Sequence, residues 1–307
     1  MEVELAILNY NGRCHLEHLL PTAIAEASIL KHKCRVVVLD NGSAYEELQW
    51  IASTFPTVDV ISTPGNDYLF SYNWYARETE AEVLVLLNND LKLCEGFLTP
   101  LLAHFALNDV FSVSATSRNW ENTTFTFGPI QLKNHHGAWY WQPEFEKQET
   151  GMTLFTSGGF MAVDRKKFLE IGGFDRFYYP AYCEDLDLCF RAWKKGWRCI
   201  FEPTSVVLHR ENGSWAQNGN ERAKYLQTRA GFMFIWRNLP NACSFTERFS
   251  FFLFRLARAL TAGEFWYLRA WAGARKGWRN SARNSRCDQV SHEFINLLTQ
   301  KINKSFP

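Results

Sequence analysis

Two adjacent carboxylates, Glu184 and Asp185, are the side chains of this sequence best suited to acid–base chemistry. They begin a helix predicted over residues 184–195, in which apolar residues recur on one face at helical spacing. Acidic residues in a first turn also favour the helix dipole, and Asp187 forms an ordinary i, i+4 pair with Arg191, so we assign Asp187 to a structural role. Glu184 and Asp185 have no cationic residue four positions on, and one of them could take a proton from a hydroxyl group.

A further carboxylate, Asp90, has the setting of a metal ligand. It closes the triplet Asn88-Asn89-Asp90, directly after residues 83–87, which are so apolar that they predict a strand buried on both faces. A carboxylate with amide oxygens nearby supplies the hard ligands that Mg or Mn prefers, and diphosphate oxygens could fill the remaining positions. A turn or a helix cap is the alternative role of this triplet.

Asp40 and His209 also stand at the ends of predicted strands. Asp40 opens the tetrapeptide of residues 40–43, which forms either a purely local turn or a nucleotide pocket. In such a pocket the carboxylate would contact the N–H edge of a base, and the following helix N-terminus would face an anion. His209 follows a strand predicted over residues 199–208 and could be a metal ligand or a core histidine; its spacing alone favours the core.

The elements that must bring these residues together form an α/β pattern. Short apolar runs alternate with helical patterns in the first hundred residues, which is typical of parallel strands joined by crossover helices. The predicted strands cover residues 4–8, 35–39, 58–62 and 83–87, and the predicted helices cover residues 15–30 and 44–55. Because ligands bind beyond the carboxyl ends of such strands, the polar sets 9–12, 40–43 and 88–90 are expected to converge.

The second half of the chain is predicted to have two parts. Residues 120–152 predict loops or edge hairpins, residues 156–163 a strand, and residues 165–171 a helix. From about Asn218 the pattern becomes helical and basic, so we place a boundary near residue 215. The chain then consists of a catalytic domain, residues 1–215, and a helical extension, residues 216–307.

The helical extension contains a basic, aromatic-rich stretch. Phe252, Leu256 and Leu260 lie on one helical stripe, and Arg255 and Arg258 lie on the opposite side. Such a helix could lie on an anionic membrane surface. It could equally pack against the catalytic domain or against a second subunit of a homo-oligomer, and the sequence favours neither.

Composition narrows the class of protein. The 307 residues are 47% hydrophobic and 21% charged, which predicts a fully folded globular chain. The 33 Lys and Arg nearly balance the 32 Asp and Glu, which argues against a nucleic-acid partner. The eight cysteines lack the spacing of a zinc site. Without a leader pattern after Met1 or a run of about 18 apolar residues, a cytoplasmic, reducing location with no membrane span is predicted.

In combination the motifs resemble the family 2 inverting glycosyltransferases of the GT-A fold, especially the rhamnosyltransferase-like and galactofuranosyltransferase-like bacterial members that build surface polysaccharides such as lipopolysaccharide. The matching segments are residues 7–12, 40–43, 86–90, 157–163, 171–175 and 184–191, followed by His209, and they cover about residues 4–215. The resemblance implies a Rossmann-like, mixed, mainly parallel sheet flanked by helices. It also implies a nucleotide-diphosphate sugar donor, a glycan or lipid-linked glycan acceptor, Mn or Mg, and a place on the cytoplasmic face of the inner membrane.

The resemblance also assigns roles to individual residues. It implies that Asp185 is the general base, that Glu184 contacts donor or acceptor, and that Asp90 and His209 hold the metal. The residues that it places at the nucleotide sugar are Asn9, Asn11, Asp40, Gly42, Asn66, Asn73, Asn88, Asn89, Gly158 and Gly159, with Asp40 at the base. The last two glycines would permit close approach on the acceptor side, although a turn explains them equally well. The implied reaction is one in-line displacement with inversion at the anomeric carbon.

One segment departs from the family pattern and leaves the donor open. Residues 66–75 carry large aromatics where family members often have glycines, so rhamnose from a thymidine donor and hexoses or galactofuranose from a uridine donor all remain candidates. A nucleotidyltransferase is a rival, but residues 9–13 lack its glycine-rich, basic loop. A catalytically silent nucleotide-sugar or glycan-binding module is the other rival. Retention of Asp40, Asp90, Glu184, Asp185 and His209 together favours the enzyme.

Overall fold

Alternate residues of the first strand pack into two hydrophobic cores, one on each face of a single sheet. Leu5 and Ile7 lie in one core and Ala6 lies in the other. Residues 83–87 are almost fully buried, as their apolar run predicts for a strand covered on both faces. The computed structural model describes residues 1–135, 138–210, 220–239, 245–281 and 291–303.

Twelve strands are present in this part of the chain. In chain order they are β1 (Glu2–Asn9), β2 (Lys33–Asp40), β3 (Asp59–Ser62), β4 (Val83–Asn88), β5 (Leu91–Leu93), β6 (Val110–Asn119), β7 (Phe125–Phe127), β8 (Ile130–His135), β9 (Ala138–Pro143), β10 (Gly151–Met152), β11 (Phe160–Asp164) and β12 (Arg198–His209). The main sheet has the order β10-β12-β6-β11-β4-β1-β2-β3, with β5 paired to β12 and β7 to β6. β11 runs antiparallel to both β4 and β6, and the short strands β5, β7 and β10 also pair antiparallel. The pairings among β1–β4 and between β6 and β12 are parallel, so the sheet is mixed but mainly parallel, as predicted.

Ten helices flank the sheet in the described residues. They are α1 (Arg13–Ile29), α2 (Tyr45–Thr54), α3 (Ser71–Glu78), α4 (Leu98–Ala103), α5 (Arg165–Glu170), α6 (Glu184–Lys194), α7 (Asn220–Asn238), α8 (Phe245–Ala262), α9 (Phe265–Ser281) and α10 (His292–Asn303). The predicted strands and helices of the first ninety residues are confirmed. The predicted edge hairpins are also present, because β8 pairs with β9 and β7 lies at the side of β6.

One long strand was not predicted. β6 is buried over most of its length and lies between β11 and β12, near the middle of the sheet. Its hydroxyl residues obscure the apolar pattern, since Ser112 and Ser114 are fully buried. Both serine hydroxyls have partners in the segment before β11 of the same chain. Thr156 Oγ1 donates to Ser112 Oγ at 2.9 Å, and the Ser157 backbone amide donates to Ser114 Oγ at 3.4 Å.

The helical extension packs directly on the sheet domain. Phe190 of α6 makes edge contacts with Phe234 of α7, at 5.4 Å between ring centroids, and with Phe294 of α10, at 5.8 Å. The predicted boundary near residue 215 falls in residues 211–219, outside the described residues, and the division into 1–215 and 216–307 stays a prediction. Among the helices that the structure describes, none has the length and apolar character needed to cross a membrane.

The predicted stripe on α8 is only partly right. Phe252 faces α9, with its ring 5.5 Å from that of Trp271. Arg255, however, turns inward and lies over the Tyr267 ring at 4.0 Å, whereas Leu260 is 66% exposed. The long aliphatic stem of an arginine can pack on an aromatic ring, so the charge of residue 255 did not place it on the outer side.

Candidate active site

The carboxyl ends of three parallel strands converge as predicted. The strand register pairs Asn9 with Asp40 and Leu8 with Asn88. The Asn89 side-chain amide donates to Asn9 Oδ1 at 2.8 Å, so the polar sets after β1 and β4 are in direct contact. The polar residues of the three strand ends therefore form one continuous surface.

Asp40 is buried and holds the turn that follows it. Its carboxylate accepts hydrogen bonds from the amides of Gly42, at 3.0 Å, and Ser43, at 3.1 Å. Gly42 has a φ of +97°, which glycine adopts without strain. The observed contacts of Asp40 are those of a local turn. The role of Asp40 at a nucleotide base stays a prediction.

Asn9 and Asn11 tie the first strand end to α2. Asn9 Nδ2 donates to Glu47 Oε1 at 2.6 Å, and Asn11 Oδ1 accepts from the Ala44 amide at 3.0 Å. Glu47 Oε1 also accepts the Gly12 amide at 2.9 Å. The buried Glu47 was not predicted, and its only sequence signal is an acidic residue in the first turn of a helix next to the site.

The segment that departs from the family pattern folds against the second strand end. Asn66 Oδ1 accepts from Asn41 Nδ2 at 3.5 Å, and that amide also reaches the Tyr68 carbonyl at 3.4 Å. Asn41 Oδ1 accepts the hydroxyls of Thr63 and Ser71, both at 2.7 Å. Asn66 thus borders Asn41 and the turn after Asp40, although Asn41 itself was not singled out from the sequence.

Asn73 lies on the other side of the same segment. Its amide makes a two-way pair with Phe174, donating to the carbonyl and accepting from the amide, both at 2.7 Å. A Cβ on Gly173 would lie 2.2 Å from Asn73 Oδ1, and Gly173 has a φ of +68°. Only glycine fits there, and Asn73 positions the loop before α6.

Asp90 and His209, which are far apart in sequence, are brought together by the pairing of β12 with β5. His209 Nε2 lies 3.4 Å from Asp90 Oδ2, and both side chains are partly accessible. His209 is therefore partly exposed at the carboxyl end of β12 and is not a core histidine. His15 of α1, which was not predicted, is close enough to Asp90 and His209 to feel their charges, and burial lowers its pKa.

Asp90 and His209 have the donor atoms that a divalent metal binds. Asp90 Oδ1 is buried and has no hydrogen-bond partner among the described residues, which is the state of an oxygen that a cation would satisfy. Within the same residues, no group of three His, Cys, Asp or Glu side chains could hold a metal. The chain itself offers Asp90 Oδ1 and the His209 imidazole, so the remaining ligands would come from diphosphate oxygens.

Two glycines connect this pair to the candidate base. The backbone amide of Asn88 donates to the Gly159 carbonyl at 2.8 Å, and the backbone amide of Gly158 donates to Asp185 Oδ2 at 3.3 Å. A Cβ on Gly159 would lie 2.7 Å from Asn88 Nδ2, and one on Gly158 would lie 2.6 Å from a methyl group of Leu69. Both glycines lie in the turn that the Phe160 amide closes by donating to the Ser157 carbonyl at 3.1 Å, so the turn and the close approach of Leu69 and Asn88 both describe these positions.

The two adjacent carboxylates have different environments. Burial and the charge of Asp185 raise the pKa of Glu184 to about 8, and Glu184 Oε2 has no partner within the described chain. Burial also raises the pKa of Asp185, but its carboxylate accepts the amides of Leu186, at 2.8 Å, and Gly158. Hydrogen bonds to the charged form favour ionisation. Glu184 is therefore the carboxyl that is protonated at neutral pH, and Asp185 is the one whose charged form is stabilised by backbone amides.

Asp187 has the structural role that its spacing predicts. It is fully buried, and Oδ2 accepts from Arg191 Nε at 2.7 Å. Arg191 also donates to the carbonyls of Ile171, at 2.5 Å, and Gly173, at 2.7 Å. The pair therefore fixes the loop that precedes α6.

The residues after β4 and at the start of α6 are of the types that hold a cation with its anion and that take a proton from a hydroxyl. Asp90 and His209 could supply two ligands of a cation, and Asp185 lies beyond Gly158 and Gly159. A phosphate-bearing substrate bound at the cation would place its reacting carbon between the two. The chemistry that this geometry suits is displacement of a phosphate leaving group by a hydroxyl.

Known proteins with related sequences point the same way. The sequence model of glycosyl transferase family group 2 matches residues 83–273. Mouse polypeptide N-acetylgalactosaminyltransferase 3 is 25% identical over 196 residues, which are 57% of this chain and 31% of that protein. N-acetylglucosaminyl-diphospho-decaprenol L-rhamnosyltransferase of Mycobacterium tuberculosis is 34% identical over 99 residues, which are 32% of this chain and 31% of that protein. The chain spans about a third of the length of these curated relatives.

A solved structure has the same fold. The mannosyltransferase of Pyrobaculum calidifontis, in complex with GDP-Man and Mn²⁺, is similar with a TM-score of 0.59 over 97% of this chain and 79% of that chain, at 16% sequence identity. The similarity confirms the predicted GT-A fold, including a chain that continues into helices after the sheet.

Proposed function

Because the chain belongs to glycosyl transferase family group 2, we propose that it transfers a sugar from a nucleotide-diphosphate donor to an acceptor hydroxyl, with inversion at the anomeric carbon. One observation carries this proposal. Asp185, whose carboxylate accepts the Gly158 amide, is linked through Gly159 and Asn88 to the triplet that ends in Asp90, and Asp90 lies beside His209.

In this mechanism Asp185 takes the proton of the acceptor hydroxyl as its oxygen attacks the anomeric carbon. Glu184, protonated at neutral pH, can donate a hydrogen bond to donor or acceptor without repelling the charge of Asp185. Asp90 and His209 would hold Mn or Mg, which supplies charge stabilisation for the departing diphosphate. Asn9, Asn11, Asp40 and Gly42, with Asn66 and Asn73 at the border, would line the nucleotide and its sugar.

The nature of the donor and acceptor is also proposed here. The match to a mycobacterial rhamnosyltransferase that acts on a decaprenol-linked substrate favours a rhamnose-type donor and a lipid-linked glycan acceptor. Such substrates belong to bacterial cell-surface polysaccharide synthesis. Matches to animal N-acetylgalactosaminyltransferases keep a uridine donor open.

A panel of nucleotide sugars tests the proposal directly. We expect one donor to stabilise the purified protein against heat and to release nucleoside diphosphate when Mn or Mg is present, and chelation to remove both effects. Donor-induced stabilisation without release, on a panel that includes lipid-linked acceptors, would identify a silent binding module. Absence of both responses across the panel would overturn donor binding itself.

We also propose that α8 attaches the protein to an anionic membrane surface, near a lipid-linked acceptor. Its outward side exposes Leu253, Phe254 and Leu260, and Phe265 continues this apolar face at the start of α9. Residues 245–281 contain seven Lys and Arg but two Glu, so this stretch is basic overall. Apolar side chains among basic ones suit the interface of an anionic bilayer.

Vesicle flotation measures this attachment. The protein is expected to float with vesicles containing phosphatidylglycerol and not with pure phosphatidylcholine, and high salt should weaken the binding. Replacing Phe254 and Leu260 with Glu should abolish flotation, whereas Leu107→Glu, at another exposed leucine, should not. A dimer that dissociates in the Phe254→Glu, Leu260→Glu variant, without vesicle binding by the unaltered chain, would assign the face to a homo-oligomer instead.

A further inference from the structure

The backbone that presents the two carboxylates is strained. Tyr182 and Cys183, directly before Glu184, both have left-handed conformations, with φ of +73° and +65°. Non-glycine residues are disfavoured there, and such conformations persist only where the surrounding structure holds them. Neither residue can be relaxed without moving the first turn of α6, which carries Glu184 and Asp185.

The contacts that hold this backbone come from the helical extension. In the middle of α7, Arg229 Nη1 donates to the Tyr179 carbonyl at 3.2 Å, and Gln227 forms a hydrogen bond with the Tyr182 side chain. The first contact falls three residues before the left-handed pair, and the second falls on the first residue of that pair. The segment before α6 is thus fastened from outside the sheet domain.

The carboxyl end of α7 fastens the other side of the same turn. Asn238 Nδ2 donates to Asp187 Oδ1 at 3.1 Å and lies 3.4 Å from the Tyr178 hydroxyl, which also donates to that carboxylate oxygen at 3.0 Å. All three side chains are buried. Nearby, Arg237 pairs with Asp175 at 2.8 Å. Side chains of α7 therefore form hydrogen bonds with the chain both before and after Glu184 and Asp185.

We propose that α7 is a positioning element of the active site, in which Asn238 and Arg229 hold residues 179–187 so that Glu184 and Asp185 face the crevice. Neither residue touches the reacting atoms. Their effect is transmitted through Asp187 and the Tyr179 carbonyl. The predicted effect on turnover rests on the proposed glycosyl transfer. The predicted effect of α7 on the backbone of residues 179–187 does not, because it is measured separately.

Two variants and one matched control test this role. Asn238→Leu removes the buried donor at similar volume, and Arg229→Met keeps the aliphatic stem but removes the guanidinium. Asn296→Leu makes the same change as the first variant on the exposed side of α10. We expect kcat to fall by about tenfold to a hundredfold in the two α7 variants, with donor affinity unchanged, because small displacements of a catalytic group cost this much. The control should match the unaltered chain.

Alkylation of Cys183, followed by peptide mass spectrometry, reports the backbone independently of activity. Cys183 is buried, whereas Cys14 is exposed and serves as the internal reference. Labelling of Cys183 should rise about tenfold in both α7 variants, because loss of a hydrogen bond that holds the segment eases its local opening. Unchanged labelling and turnover in a folded Asn238→Leu or Arg229→Met protein would overturn the role of α7. If no form of the protein transfers sugar, Cys183 labelling alone tests the role of α7: a rise in the two variants supports it, and unchanged labelling overturns it.

Discussion

Replacing Asp185 with Asn is expected to lower sugar transfer by about a hundredfold to ten-thousandfold, the range that a positioned general base contributes. The amide keeps the size of the carboxylate and can still accept the hydrogen bond of the Gly158 amide, 3.3 Å away in the structure. It cannot take the proton of the acceptor hydroxyl. Initial rates of nucleoside diphosphate release at saturating donor and acceptor measure the loss.

Donor binding should survive this substitution. Asp185 lies beyond Gly158 and Gly159, away from the turn of Asp40 and from Asn9, so donor-induced thermal stabilisation should remain. Asp109→Asn, which removes the charge of the carboxylate paired with Arg198, is the matched control and should keep full activity. Full activity of Asp185→Asn would show that another group is the base, and Glu184→Gln would then be the next variant to measure.

Replacing Asp90 with Asn should lower transfer by about a thousandfold, because Lewis-acid stabilisation contributes several kcal/mol and each 1.4 kcal/mol changes a rate tenfold. Unlike Asp185→Asn, it should also weaken donor binding, since the diphosphate would be held through the metal. The measurement is a Mn titration of donor-induced thermal stabilisation, alongside initial rates.

Stability separates this effect from unfolding. Asp90 Oδ1 is buried without a partner in the described residues, and a neutral amide is less costly to bury than a charge. The metal-free Asp90→Asn protein should therefore melt at the same or a higher temperature than the unaltered chain. Wild-type affinity for Mn in the presence of donor would remove Asp90 from the metal site and leave His209 without its proposed partner.

Local patterns were sufficient for much of the fold. The strands of the first ninety residues were predicted because each is a short apolar run that ends in a polar turn. β6 was missed because buried Ser112 and Ser114 break that pattern, and their hydroxyls are satisfied by residues some forty positions away, Thr156 and Ser157. Hydrogen bonds of that kind have no signal in local periodicity.

The candidate site shows the same division. The convergence of Asn9, Asp40 and Asn88 follows from the sequence, because the ends of adjacent parallel strands must meet. The role of Asp187 also follows, because an i, i+4 pair lies within one helix. Each of these conclusions depends on geometry that a few neighbouring residues determine.

The tertiary structure alone decided which distant groups share an environment. The proximity of His209 to Asp90 depends on the pairing of β12 with β5. The hydrogen bond from Asn238 to Asp187 depends on the packing of α7 against α6. The raised pKa of Glu184 depends on burial and on the charge of Asp185, and the carboxylate of Asp185 depends on the Gly158 amide. Sequence determines residue type and local conformation, whereas desolvation and long-range contacts, which decide the chemistry of a carboxylate, arise only when the chain has packed.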